Sequence, residues 1–138
     1  MRPWQALAFL GGSIALAACN QQPAANQAHA PIKVRGPEQD QLHTLTAMNL
    51  AIALKRAIYD AGYTCSRVTD AGFVGAYQNL DMWEARCTDG KQSRDWAVFT
   101  GPDGSAQVRD CKDIPGTGLP TCEIKKRPAD AAVPAEKA

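Results

Sequence analysis

Residues 82–111 constrain the fold most, because they read as three short strands joined by two turns. In Met82-Trp83-Glu84-Ala85-Arg86-Cys87 the pattern alternates, with Trp83, Ala85 and Cys87 on one face and Glu84 and Arg86 on the other. Asp89-Gly90 is a strong hairpin signal. Residues 96–100 are apolar at both parities, as expected of a central strand. Pro102-Asp103-Gly104 makes the second turn, proline setting φ and glycine accepting positive φ. Residues 105–111 form the third strand, with Ala106 and Val108 inward and Gln107, Arg109 and Cys111 outward.

Before this meander the periodicity changes. Residues 37–61 read as one helix, with Asp40 as N-cap and Gly62 as a left-handed C-terminal cap. Leu42, Leu45, Met48, Ile52 and Tyr59 fall on one side, and Leu50, Leu54, Ala57, Ile58 and Ala61 on an adjoining one. Asn49, Ala53, Arg56 and Asp60 leave only a narrow polar strip. So broad a stripe calls for cover on more than one side: the sheet supplies one, and a partner or the tail the other. Residues 63–68 are expected to form a strand, Asp70-Ala71-Gly72 a turn, and residues 73–77 another short strand or a loop. Residues 114–120 are a Pro/Gly loop, and the end of the chain, from Lys125-Lys126-Arg127, reads as a solvated tail. The expected fold is α+β: one N-terminal helix on a small antiparallel sheet of three to four strands.

The chain starts with a single positive charge, Arg2, followed by an uncharged and mostly apolar run that is too short to span a bilayer comfortably. The run ends Leu16-Ala17-Ala18-Cys19, which resembles the lipobox of bacterial lipoproteins. The resemblance implies cleavage before Cys19 and acylation of that residue with palmitate-type chains. Several acyl chains, at about 0.8 kcal/mol per buried methylene, anchor a protein stably where one does not. Residue 20 is Asn, not the Asp that retains such lipoproteins in the inner membrane. The expected location is therefore the periplasmic face of the outer membrane of a Gram-negative bacterium. Residues 1–18 are then signal peptide and residues 19–36 anchor and linker. Residues 37–124 make the folded domain and residues 125–138 a disordered tail. The linker, rich in Gln, Asn, Ala and Pro, reaches roughly 20–25 Å as a coil.

With Cys19 acylated, Cys65, Cys87, Cys111 and Cys122 remain, an even number in an oxidising compartment. Cys111 and Cys122 enclose a short loop that a local bridge closes easily. Cys87 and Cys111 face opposite sides of the sheet, which argues against joining them. The expected pairs are Cys65–Cys87 and Cys111–Cys122. No CxxC occurs and the histidines are badly placed for zinc, so neither a metal nor a redox role is expected.

The 15 basic and 14 acidic residues nearly cancel, giving no argument for a nucleic-acid partner. No GxSxG, HExxH, Walker or GxGxxG motif is present, and no cofactor is expected. Tyr77 and Trp83 flank the polar Gln78-Asn79-Leu80-Asp81, making Tyr77, Asp81 and Trp83 the candidate partner-binding residues, with core packing as the competing reading. Asp81 with Glu84, or Asp89 with Asp95, are carboxylate pairs that a small hydrolase would use. Ala61-Gly62-Tyr63, residues 82–86 and Asp103-Gly104-Ser105-Ala106-Gln107-Val108 together resemble the PepSY-type αβββ module of exported bacterial proteins, over residues 57–111. That resemblance implies binding and inhibition of peptidases. The expected function is a non-enzymatic, lipid-anchored periplasmic module that binds another envelope protein or has a structural role. The alternatives are an inhibitor of a peptidase or cell-wall hydrolase, and a carboxylate-based hydrolase.

Overall fold

A computed structural model of the chain describes residues 34–131. The signal peptide, Cys19, the linker up to residue 33 and the residues after 131 lie outside that span. Within it the α+β expectation holds. Two helices, α1 (Pro37–Leu42) and α2 (Ala47–Asp60), precede four antiparallel strands, β1 (Arg67–Tyr77), β2 (Leu80–Asp89), β3 (Gln92–Thr100) and β4 (Ala106–Asp110), in the order β1-β2-β3-β4.

The helix expected over residues 37–61 is interrupted. Asp40 lies inside α1, and the N-caps are Gly36 and Thr46. Thr46 Oγ1 accepts from the Asn49 N–H at 3.3 Å, which starts a new helix where the apolar spacing alone would have continued the old one. The C-terminal end follows expectation. Gly62, at φ +86, donates to the Tyr59 carbonyl at 2.9 Å, and Tyr63 donates to Ile58 at 3.1 Å, a Schellman closure.

The first half of the sheet departs from expectation. Residues 63–66 carry no strand, and Asp70-Ala71-Gly72 do not turn. β1 runs through them for eleven residues, bending at register shifts between Val68 and Asp70 and between Phe73 and Gly75. Gly72 serves close packing here: a Cβ at that position would lie 2.3 Å from Ile124 Cγ2 and 2.7 Å from the Lys126 carbonyl oxygen. The β1–β2 turn is Gln78-Asn79, with Gln78 at φ +56. The β2–β3 turn is Gly90-Lys91, as the Asp89-Gly90 signal required.

Each face of the sheet has its own core. On one, Leu50, Leu54 and Ile58 from α2 pack on Trp83, Ala85, Trp96 and Val98, together with Cys65 and Cys87. Each of the three helix side chains contributes about 1.5–3 kcal/mol by burial. The opposite face, where the alternation of β2 places Glu84 and Arg86, presents Val74, Met82, Ala97 and Phe99. Ile114, Leu119 and the Cys111–Cys122 pair cover it, leaving Glu84 4 % exposed.

That cover is a C-terminal belt. Lys125, Lys126 and Arg127, expected to start the tail, are docked instead. Phe73 exchanges backbone hydrogen bonds with Lys125 and Lys126 at 2.8–3.0 Å. Arg127 grips Asp70 with two bonds, at 3.0 and 2.8 Å. Asp130 accepts from the Ala47 N–H at 2.8 Å, at the start of α2. The belt thus crosses the second face, turns around the edge of β1 and ends beside the helix. Both disulfides form as expected, Cys65–Cys87 tying the α2–β1 junction to β2 and Cys111–Cys122 closing the belt's first loop.

Candidate functional site

The three residues singled out at the β1–β2 hairpin have different fates. Tyr77 is half-buried beside the turn. Trp83 is 2 % exposed and Asp81 1 %, so they do not form an open patch. The alternation of β2 turns both toward the α2 side. There Trp83 stacks at 4.8 Å from the His43 ring and 5.4 Å from Phe73, while its Nε1–H donates to Thr100 Oγ1 at 3.2 Å.

Asp81 is the centre of a polar cluster that reading the sequence did not assemble. Its carboxylate accepts from Arg35 Nη1 at 3.0 Å and from Arg35 Nη2 at 2.8 Å. His43 Nε2 meets the same Oδ2 at 2.8 Å. Burial pushes the Asp81 carboxyl up, but the hydrogen bonds from Arg35 and His43 more than offset it and hold it below the ordinary carboxylate range. Arg35 also reaches Asp40 on α1 at 2.8 Å. Gln39, itself buried, donates to the Asn79 and Thr100 carbonyls at 2.9 Å and accepts from the Gly36 N–H at 3.1 Å. Gly36 is forced: a Cβ there would sit 1.9 Å from the Pro102 carbonyl oxygen. Arg35, Gly36, Gln39 and His43 thus clasp the entry of the folded chain onto the ends of β2 and β3. Arg35 lies in the stretch expected to be linker, and His43 is one of the two histidines for which no metal role is expected. Their only sequence signal was polarity, which does not distinguish a clasp from solvated chain.

Beside the clasp lies a crevice of 380 Å³ between the α1–α2 junction and the belt, lined by Leu42, His43, Leu45, Phe73, Lys126 and Asp130 among others. The hydroxyls near it are engaged, Thr44 with the Gln41 carbonyl and Thr46 as a cap.

The carboxylates of the two candidate pairs have different surroundings. Asp81 faces α2 while Glu84 faces the belt, so the two cannot flank one bond. Asp89 accepts from the Ser66 N–H at 2.6 Å, and Asp95 pairs with Arg86 at 2.8 Å. Burial, with Asp95 adding repulsion, pushes the Glu84 carboxyl up, and its Oε2 has no partner. Among the described residues no three His, Cys, Asp or Glu side chains are grouped to hold a metal ion. Cys19 lies outside the described residues.

The exposed apolar side chains are concentrated on the helix. Met48, Ile52 and Tyr59 on α2 are 70, 51 and 49 % exposed, and Tyr63 just beyond it 41 %. Spacings of four and seven align Met48, Ile52 and Tyr59 in one ridge, turned away from the Leu50–Leu54–Ile58 face that seats α2 on the sheet. Lys55 lies along the ridge, its Nζ 5.7 Å from the Tyr59 ring centre. Scans against protein-family models, the curated proteins and the solved structures found no match to this chain.

Proposed function

We propose that the chain is a non-enzymatic, lipid-anchored module on the periplasmic face of the outer membrane that docks another protein of the cell envelope. The observation that carries this reading is the α2 ridge. Three large apolar side chains stand in register on a helix already saturated with core contacts on its other side. Burying such a ridge gains roughly 25 cal/mol per Å² of apolar area, and a helix face presented this way fits a groove or a second helix. The Leu16-Ala17-Ala18-Cys19 sequence supports the anchor, and the Gln/Asn/Ala/Pro-rich stretch after it supplies the reach. The belt and two disulfides brace the scaffold, so the ridge is presented without an ordering cost.

The test is site-specific photo-crosslinking in intact cells, with the probe placed in turn at Met48, Ile52 and Tyr59, and at Arg67 as control. A single adduct of defined mass from the three ridge positions and not from Arg67 is expected. No discrete adduct, or the same adduct from the control, overturns the docking role. Radiolabelled palmitate in the wild type, lost in Cys19→Ser, is the matching expectation for the anchor; an unlabelled wild type overturns that part.

A further inference from the structure

We infer that the chain has a second interaction surface, the groove between α2 and the open edge of β4, built to take an extended peptide segment of a partner protein as a fifth strand. It rests on the reading of the chain as a binding module but uses the opposite flank of α2.

Three observations meet there. First, β4 pairs only with β3, and nothing among the described residues pairs with its outer edge. The Gly101 N–H bonds the Ser105 carbonyl, and Gly101 and Ser105 continue the ladder from the Thr100–Ala106 pair. In an antiparallel ladder bonding alternates, so Ala106, Val108 and Asp110 turn their N–H and C=O groups outward. Secondly, α2 leaves room above that edge. Ala53, Ala57 and Ala61, each four residues from the last, form the wall facing β4. Cavities of 240, 410 and 580 Å³ run on from one another along it, Ala106 lining all three. A strand added to β4 would project alternate side chains into this space, where alanine methyls admit them.

Thirdly, the end of the groove near Cys111 calls for an acceptor. Its floor is Trp96, 2 % exposed, whose indole Nε1–H is buried without a partner. Arg94 lies over that ring, 5.4 Å from its centre. Arg94 and Lys112 share one carboxylate, Asp110, at 3.6 and 3.3 Å; Arg109 and Asp113 also line this end. Arg94, on the Trp96 face, thus has only a long contact to a carboxylate it shares with Lys112, and its guanidinium is open to a second one. The complementary ligand is an extended segment with small apolar side chains at alternate positions and a carboxylate at the end over Trp96.

A random peptide library displayed on phage, selected on the purified full chain in detergent micelles, tests this. Selected peptides should slow hydrogen exchange at the Ala106, Val108 and Asp110 amides. Val108→Pro, which removes one outward N–H, and Ala57→Leu, which fills the groove, should each weaken binding about tenfold or more. Ile52→Asp on the ridge should leave it unchanged. Should Val108→Pro fail to fold, Ala57→Leu and the exchange pattern of the unaltered chain still decide. No enriched peptide, peptides that leave those amides unprotected, or full binding by Ala57→Leu overturns the proposal. Binding lost in Ile52→Asp and kept in Ala57→Leu places the peptides on the ridge, overturning the groove while leaving the docking role intact. A concentration-dependent dimer abolished by Ala57→Leu makes the occupant a second copy and overturns the partner segment.

Discussion

Replacing Asp81 with Asn should cost more stability than any other single polar substitution on the α2 side of the sheet. The wild-type carboxylate accepts from both Arg35 Nη atoms, and its Oδ2 is shared with His43. An asparagine amide has one accepting and one donating end. Whichever way it is turned, its NH₂ opposes one Arg35 nitrogen. Breaking a fully buried ion pair costs about 3–5 kcal/mol. Here Arg35 is 39 % exposed and keeps Asp40, so water and that second carboxylate recover part of the loss. The remainder is about 2 kcal/mol, a fall of roughly 10 °C in Tm for a domain of this size. The pH dependence supplies a second constraint. The folded-state pKa of Asp81 is depressed, so its contribution is present above the unfolded value, about 3.9, and is lost as pH falls through the folded value. Urea titrations of both chains should therefore show a gap that is present at about pH 7 and about pH 5 and closes on further acidification. Equal stability at pH 7, or a gap that persists after the carboxylate has been protonated, refutes the clasp.

Glu84→Gln should act in the opposite direction. Burial raises that carboxyl, so the wild type bears a penalty at neutral pH that disappears as pH falls to where both folded and unfolded states are protonated; the amide should add about 1 kcal/mol at pH 7 and nothing in acid, read by the same titrations. Under graded reductant with alkylation and peptide mapping, Cys111 and Cys122, both half-buried, should label before the fully buried Cys65 and Cys87. Chain entropy assigns about 3 kcal/mol to each bridge, slightly more to the one spanning 22 residues than to the one spanning 11. Gln78→Gly should raise Tm by a few degrees, because φ +56 costs an L side chain about 1 kcal/mol; no gain would mean the Gln78 side chain contributes something its hydrogen bonds do not show.

What the sequence revealed was local, and what it concealed was set by contacts distant along the chain. The two later turns, the alternation of β2 and the capping of α2 by Gly62 are each written within a few residues, and each holds in the structure. The disulfide pairing followed from which face each cysteine occupies, which is also local. The helix break failed because Leu42, Leu45 and Met48 continue a helical spacing through it. Only Thr46 as a cap and the pull of Asp81 on His43 mark the interruption. Gly72 looked like a turn residue because it was read without Ile124, the side chain that requires its bare backbone. Nothing in the Glu84 and Arg86 alternation of β2 announces that a Pro/Gly-rich segment will return to cover Met82 and Phe99. Asp81 was expected in a partner-binding patch, with core packing as the competing reading, and it is buried. Its partners lie 38 and 46 residues earlier, beyond any pattern within the strand.

The belt also sets the order in which the molecule can be completed. As the chain is made or threaded from its first residue onward, α2 and the first three strands can close their shared core early. The far side of the sheet, with Met82, Ala97 and Phe99, stays wet until the stretch beyond Cys111 arrives. A nascent chain halted just after β4 would therefore hold a half-greased platform, open to chaperones and to other chains. Proteolytic trimming back past Ile114 would return a finished molecule to that condition.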